Sequence, residues 1–177
     1  METTKKHTMS GCCGMSCSLC PRFHTDGKSK CLGCGPDPHC VYCSTYKCCS
    51  VKKAYETCAE CIDSPCARIS NLADWKRFST GKRWLLHIEE IKKNGLEKWE
   101  RIQEQKAVLL KQALEQYNSG RSKGIICLSF LLFDIPTIQK LLEKANAIIS
   151  DIELKDRAKK FKVLIKEFAK KKEIKLK

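Results

Sequence analysis

The chain has 177 residues, with 34 lysines and arginines against 20 aspartates and glutamates for a formal charge of +14, and it contains 14 cysteines. That length allows one ordinary domain or a small module joined to a larger one, and the longest nearly apolar run, Ile125 to Ile135, is about half of the roughly 20 residues a membrane-spanning helix needs, so no membrane span is expected. The charge invites a nucleic-acid or anionic-surface partner, yet it counts every thiol as neutral; four thiolates around a divalent zinc, or around an oxidised four-iron cluster, leave each site at about −2, and a few such sites remove a large share of the excess.

The N-terminal METTKKHTMSGCCG carries two lysines but no apolar stretch after them, so it does not read as a secretory signal. A cytoplasmic location with reduced thiols is the expectation. From Met1 to about Ser70 no helical or strand period is sustained, and Gly11, Gly14, Gly27, Gly33, Gly35, Pro21, Pro36, Pro38 and Pro65 punctuate the chain. Large apolar residues are few there, and so small a segment needs a staple to offset chain entropy. Thirteen of the fourteen cysteines fall between Cys12 and Cys66, and metal is the staple that reducing conditions permit. The expected organisation is a cysteine-rich metal or iron–sulfur module over 1–70, followed by a basic α-helical domain over 71–177.

The helical pattern begins near Asn71. Trp84, Leu85, Ile88 and Ile91 share one helix face, and Asn94-Gly95 supplies the stop. A second helix runs from about Leu96 to Asn118 on the stripe Leu96, Trp99, Ile102, Leu109, Leu110, Ala113 and Tyr117, interrupted by Lys106 and closed by Ser119-Gly120. Gly124 to Phe133 is the most apolar segment, where periodicity does not separate helix from short strand; helix is the reading adopted. Pro136 suits the first turn of a helix carrying Ile138, Leu141, Leu142, Ala145, Ile148 and Ile149. A last helix, from about Asp151 to Lys171, has Leu154, Ala158, Phe161, Ile165 and Phe168 on its apolar edge. Trp75, Trp84 and Trp99 read as core, and His87 as the polar edge of the first helix. The fold class expected is mainly α: a small loop-rich cysteine–metal module followed by a bundle of four to five helices.

The chemistry lies in Cys13-Gly-Met-Ser-Cys17-Ser-Leu-Cys20-Pro21, Cys31-Leu-Gly-Cys34-Gly35, Cys40-Val-Tyr-Cys43, Cys48-Cys49, Cys58-Ala-Glu-Cys61 and Cys66. Two residues between cysteines let one tight turn aim both sulfurs at a point, so each of the four C-x-x-C pairs is a chelating half-site. The metal's identity is pulled two ways. Cys31-Leu-Gly-Cys34-Gly35 looks like a zinc-ribbon or rubredoxin knuckle, which points to single-metal sites. Cys13, Cys17 and Cys20 form a C-x-x-x-C-x-x-C group able to wrap three corners of a [4Fe-4S] cube, with Pro21 following as in bacterial ferredoxins. The same spacing marks radical S-adenosylmethionine enzymes, but those need a strand-rich barrel that this chain does not encode.

The ordered series C-G-M-S-C-S-L-C-P, C-L-G-C, C-V-Y-C-S-T-Y-K-C and C-A-E-C-I-D-S-P-C-A-R, covering about Cys12 to Ile69, resembles an uncharacterised cysteine-rich family, domain-of-unknown-function family 3795. Arg121-Ser-Lys-Gly-Ile-Ile-Cys127 is similar, more loosely, to the C-terminal part of its longer members. The resemblance implies a metal-binding module with no assigned reaction, and as ligands Cys13, Cys17, Cys20, Cys31, Cys34, Cys40, Cys43, Cys48, Cys58, Cys61 and Cys66. Cys12 and Cys49 stand beside pattern cysteines as extras able to replace their neighbours. Cys127 is a core cysteine or a ligand folding back from the helical domain, the former being favoured because unpaired cysteine is so often buried.

The cofactor expected is an iron–sulfur cluster, [4Fe-4S], serving electron transfer or support of a redox partner; the alternative is Zn²⁺ organising a protein or nucleic-acid interaction module. A protein partner is expected and nucleic acid is the less favoured one. His24 and His39 are weighed as ligands and set below the cysteines. The lysines of the tail, Lys155 to Lys177, read as a solvated helix face rather than a nucleic-acid surface. Tyr42, Tyr46 and Tyr55 either cap a metal knuckle or stack bases, and Arg121-Ser122-Lys123 reads as an ordinary polar turn before an anion site. No catalytic constellation is present: the sequence offers no nucleophile with a base, no phosphate loop and no nucleotide fingerprint.

Overall fold

The computed structural model describes residues 5–73, 81–149 and 152–176. The protein is mainly α-helical, and among the described residues no β-strand forms. It divides into two compact units, Met1–Arg101 and Ile102–Lys177.

In the first unit, residues 5–66 run as turns joined by short helical pieces. Three of the C-x-x-C pairs close the same way: the amide of Cys20 donates to the carbonyl of Cys17 at 3.0 Å, Cys43 to Cys40 at 3.0 Å, and Cys61 to Cys58 at 3.2 Å. Each is a 3₁₀ turn, the compact geometry that puts both sulfurs on one side of the chain. Side chains start two of them. The Asp37 carboxylate accepts from the His39 amide at 2.9 Å, and Thr57 with Glu60 forms a reciprocal capping box. The helical turn α1 (Ser44–Tyr46) passes directly into a π-helical stretch, Lys47–Lys52.

The rest of this unit comprises α2 (Ala67–Ala73), α3 (Gly81–Asn94) and the start of α4 (Leu96–Tyr117). Helix α3 ends where glycine allows, Gly95 taking a φ of +86° with its amide donating to the Ile91 carbonyl at 2.8 Å. Trp84 and Trp99 are buried, as their spacing predicts, whereas Trp75 lies outside the described residues. His87 is not on a polar edge. It is 1 % exposed, its Nδ1 bonds the carbonyl of Gly14 at 2.8 Å, and its ring meets Trp99 edge-on at 5.2 Å. The reason is a close approach of the cysteine loop. Gly14 has a φ of +83°, and a Cβ there would stand 2.8 Å from the Trp84 carbonyl oxygen, so only glycine lets the loop dock on α3. Two carboxylates tie the amino-terminal residues down. Glu56 accepts from the Lys6 amide at 2.8 Å and the His7 amide at 3.0 Å, and Glu100 accepts from the Ser10 hydroxyl and pairs with the His7 ring.

The second unit holds the rest of α4 with α5 (Lys123–Leu132), α6 (Ile135–Ile149) and α7 (Leu154–Lys171). Phe130, Phe133, Ile138, Leu141, Phe161 and Ile165 are fully buried, and each such side chain contributes about 1.5–3 kcal/mol by leaving water. Tyr117 of α4 stacks on Phe161 of α7 with centroids 4.2 Å apart. Ahead of α6 the Asp134 carboxylate accepts from the Thr137 amide at 2.8 Å, and Pro136 occupies the first turn.

Two expectations about α4 change. Its buried face runs Trp99, Gln103, Lys106, Leu110, Ala113 and Tyr117, so Lys106, 3 % exposed, belongs to the stripe it was expected to interrupt. Ile102 points outward at 41 % exposure. A lysine stem is apolar enough to lie along a core face, which residue-type patterning does not register. In α7 the inward side is Ala158, Phe161, Leu164, Ile165 and Ala169, while Leu154 is exposed; the lysines from Lys155 to Lys175 are all exposed, a solvated face.

Candidate metal centre

All fourteen cysteines are thiols. The first unit gathers thirteen of them, and several meet at its centre. The Cys34 thiol donates to Cys12 Sγ across 3.7 Å, and the Cys49 thiol donates to the Tyr55 carbonyl at 3.5 Å. Cys12, Cys49 and Tyr46 are buried together, with Cys34, Cys40, Cys58 and Tyr55 packed against them. This sulfur cluster occupies the place where the second unit has phenylalanine and leucine.

Cys12 and Cys49, expected as extras beside Cys13 and Cys48, are thus central. Local backbone decides it. Adjacent residues point different ways, and the turn at Cys12 and the π-helical winding at Cys49 send these sulfurs inward. The signal available in sequence was the doubled cysteine itself.

Elsewhere in the unit, Cys17 shares its surroundings with Cys13, Cys20 and Cys31, whose charges all oppose its ionisation. Cys48, Cys49, Cys58, Cys61 and Cys66 line one cavity. Cys40 and Cys43 share a turn, and Cys43 is the most exposed of the set. Cys127 is buried in α5, in the second unit, where the favoured reading of it as a core residue places it. Among the described residues, no three thiols, imidazoles or carboxylates are drawn together as a finished metal cage.

The backbone around the sulfurs favours thiolate. Amides donate to sulfur from Gly35 to Cys40 at 3.2 Å, from Cys12 to Cys34 at 3.5 Å and from Tyr46 to Cys43 at 3.5 Å. The knuckle Cys31–Cys34 is held by the Cys34 amide donating to the Thr8 carbonyl at 2.7 Å and by the Leu32 amide donating to Asp37 at 3.2 Å. At the outer edge the Lys53 ammonium stands 3.1 Å from Cys61 Sγ.

Titration follows from the sulfur cluster. The Cys34 thiol, which donates to it, and the neighbouring Cys49 hold Cys12 below the ordinary thiol range. The neighbours go the other way: Cys34 is raised because ionising it removes the proton it gives to Cys12, and Cys49 is raised by its closeness to Cys12 and Cys58 and by burial. Cys58 is lowered by its neighbour Cys49. Burial pushes Cys13 up to about 12 and raises Cys17, Cys31 and Cys40. Thiolate is therefore favoured at Cys12 and Cys58 and opposed at their neighbours, by desolvation and by the charges of the others. A cation there reverses that balance, since it replaces the protons and neutralises the thiolates. The donor set fits a thiophilic metal.

The histidines are engaged elsewhere. His24 Nε2 bonds the Ser18 carbonyl at 2.7 Å, His39 Nδ1 bonds Asp37 at 2.9 Å, and His7 pairs with Glu100. Tyr46 is buried against the sulfurs while Tyr42 is 84 % exposed. Compared with known proteins, the chain matches no family model, no curated protein and no solved structure.

Proposed function

We propose that this chain is a non-catalytic metal-binding protein whose N-terminal unit is organised by cysteine-ligated metal, of zinc type at the Cys12 centre, and that this module serves as a platform for a partner. One observation carries the choice of a single-metal site: Cys12 and Cys34 have their sulfurs 3.7 Å apart, and the edge of a sulfur tetrahedron around an ion with 2.3 Å bonds is about 3.8 Å. A four-iron cube puts each cysteine on a different iron and so spreads the sulfurs farther. Thirteen cysteines, at four for each closed site, leave room for as many as three ions.

The platform reading rests on the surface next to that centre. An open groove is lined by Pro38, Tyr42 and Val51 together with Lys47 and Lys52, so apolar and cationic groups are presented together. That combination suits a partner with acidic and apolar or aromatic groups.

A second reading, iron–sulfur clusters carrying electrons for a redox partner, is favoured by one specific feature. Cys13, Cys17 and Cys20, with Pro21 next, have Cys31 as a fourth thiol acting on Cys17. Elemental analysis and an absorption spectrum of protein purified without oxygen separate the two. Zinc in a colourless protein is expected. Iron with acid-labile sulfide in a brown protein gives the second reading, and a folded first unit free of both removes the metalloprotein altogether.

A further inference from the structure

Cys48, Cys49, Cys58, Cys61 and Cys66 line a cavity of about 30 Å³, room for two or three water-sized bodies at the roughly 10–15 Å³ that each requires. The space takes an ion. Its walls come from separate parts of the chain: Cys48 from the π-helical stretch, Cys58 and Cys61 from one 3₁₀ turn, and Cys66 from the residue before α2. Cys49 belongs to the other side, because it is 2 % exposed and buried with Cys12 and Tyr46 in the central cluster.

Resting on the metalloprotein reading above, we infer that Cys48, Cys58, Cys61 and Cys66 hold a metal ion of their own in this cavity, separate from the ion at the Cys12–Cys34 contact. Two independent features fit a metal–thiolate occupant. Ser64 lines the same cavity, and its hydroxyl oxygen is buried with no hydrogen-bond partner, a costly state for a polar atom unless something in the cavity engages it. Two cationic residues line the wall, Lys53 with its ammonium 3.1 Å from Cys61 Sγ, and Arg68. Four thiolates around a divalent ion carry about −2, which these two charges offset. The sulfurs line the cavity, and closing them on the ion requires rotation of their χ1 torsions between staggered wells.

The test uses the full chain loaded with zinc alone. It is titrated with a chelator while a thiol-alkylating reagent marks each cysteine as it opens, and mass spectrometry identifies the marked residues. Cys48, Cys58, Cys61 and Cys66 are expected to open together, in a step distinct from the opening of Cys12 and Cys34. Cys61→Ser is expected to lose one zinc relative to the wild type while Cys12 and Cys34 stay protected. The inference is overturned if the four thiols open in different steps, if they open in the same step as Cys12, or if Cys61→Ser keeps the full zinc complement. Should that variant fail to fold, the wild-type footprint decides alone. A wild-type chain that takes up no zinc and no iron fails the metalloprotein reading itself, an outcome distinct from a loaded chain whose thiols are grouped otherwise.

Discussion

The two units of this protein order a chain by different means. In the second, Phe130, Phe133, Leu141, Phe161 and Ile165 are sealed from water, and helix packing is sufficient. In the first, the stretch from Lys5 to Cys66 buries Leu19, Tyr46, Cys12 and Cys49 and little else that is large and apolar. Sulfur fills the centre, and the backbone is held by individually placed hydrogen bonds, such as those at Glu56 and Asp37. A packed core tolerates the loss of one member in proportion to the volume lost. The metal-organised centre proposed for the first unit would depend on every ligand at once.

That contrast gives the largest expected effect. Stripping metal from the reduced full chain with a chelator should unfold residues 5–66 and leave the second unit helical, since a structural zinc contributes on the order of 10 kcal/mol or more. Fluorescence from Trp84 and Trp99, both buried in the first unit, should shift to the red while far-ultraviolet circular dichroism falls only in part. A chain that keeps its tryptophan emission after complete removal of metal breaks the comparison.

Paired substitutions sharpen it. Cys34→Ser should release metal and leave the stability of the second unit unchanged. Phe161→Ala should destabilise the second unit by about 3–5 kcal/mol with the metal content untouched. Metal analysis alongside thermal unfolding reads both, and a crossover, with Phe161→Ala losing metal, contradicts the division of labour.

A smaller effect is expected where the cysteine loop meets ordinary helix packing. Gly14→Ala forces a left-handed φ on alanine and sets its Cβ against the Trp84 carbonyl, a strain of roughly 1–3 kcal/mol. The His87 to Gly14 hydrogen bond should break with it, so the histidine ring resonances of His87 report the change by nuclear magnetic resonance. Unaltered His87 shifts in that variant would mean that the loop does not rest on α3.

The fold was legible where one physical rule decides an element. Asn94-Gly95, Pro136 and the apolar faces around Trp84 and Phe161 announce helices and their limits, because capping and a 3.6-residue period act locally. Lys106 and His87 were misread for a common reason: burial of an amphipathic side chain depends on a neighbour distant in sequence. The candidate site was legible as a set of cysteines and illegible as a partition. Spacing pairs Cys58 with Cys61, but the contact of Cys12 with Cys34 spans 22 residues and follows from the turns between them. The choice of Cys49 over Cys48 for the centre is set by π-helical winding that no propensity signals.

The smallest effect concerns the cap of α6 and separates the units by pH. Asp134 accepts from the Thr137 side chain and amide, with Lys172 3.9 Å away, and these hold its carboxyl below the ordinary carboxylate range. A depressed folded value means that the stabilisation is fully present above the unfolded pKa of about 4 and is lost as pH falls through the folded value. Because the carboxyl is largely exposed, the cap rather than the ion pair sets the size, about 1 kcal/mol. Asp134→Ala should lose that amount near neutral pH. Asp134→Asn keeps the acceptor oxygen and should retain most of it while removing the dependence on pH below about 4. Melting of the second unit as pH is lowered distinguishes the variants: if wild type and Asp134→Asn follow parallel curves down to the acid limit, the carboxylate is not what caps this helix.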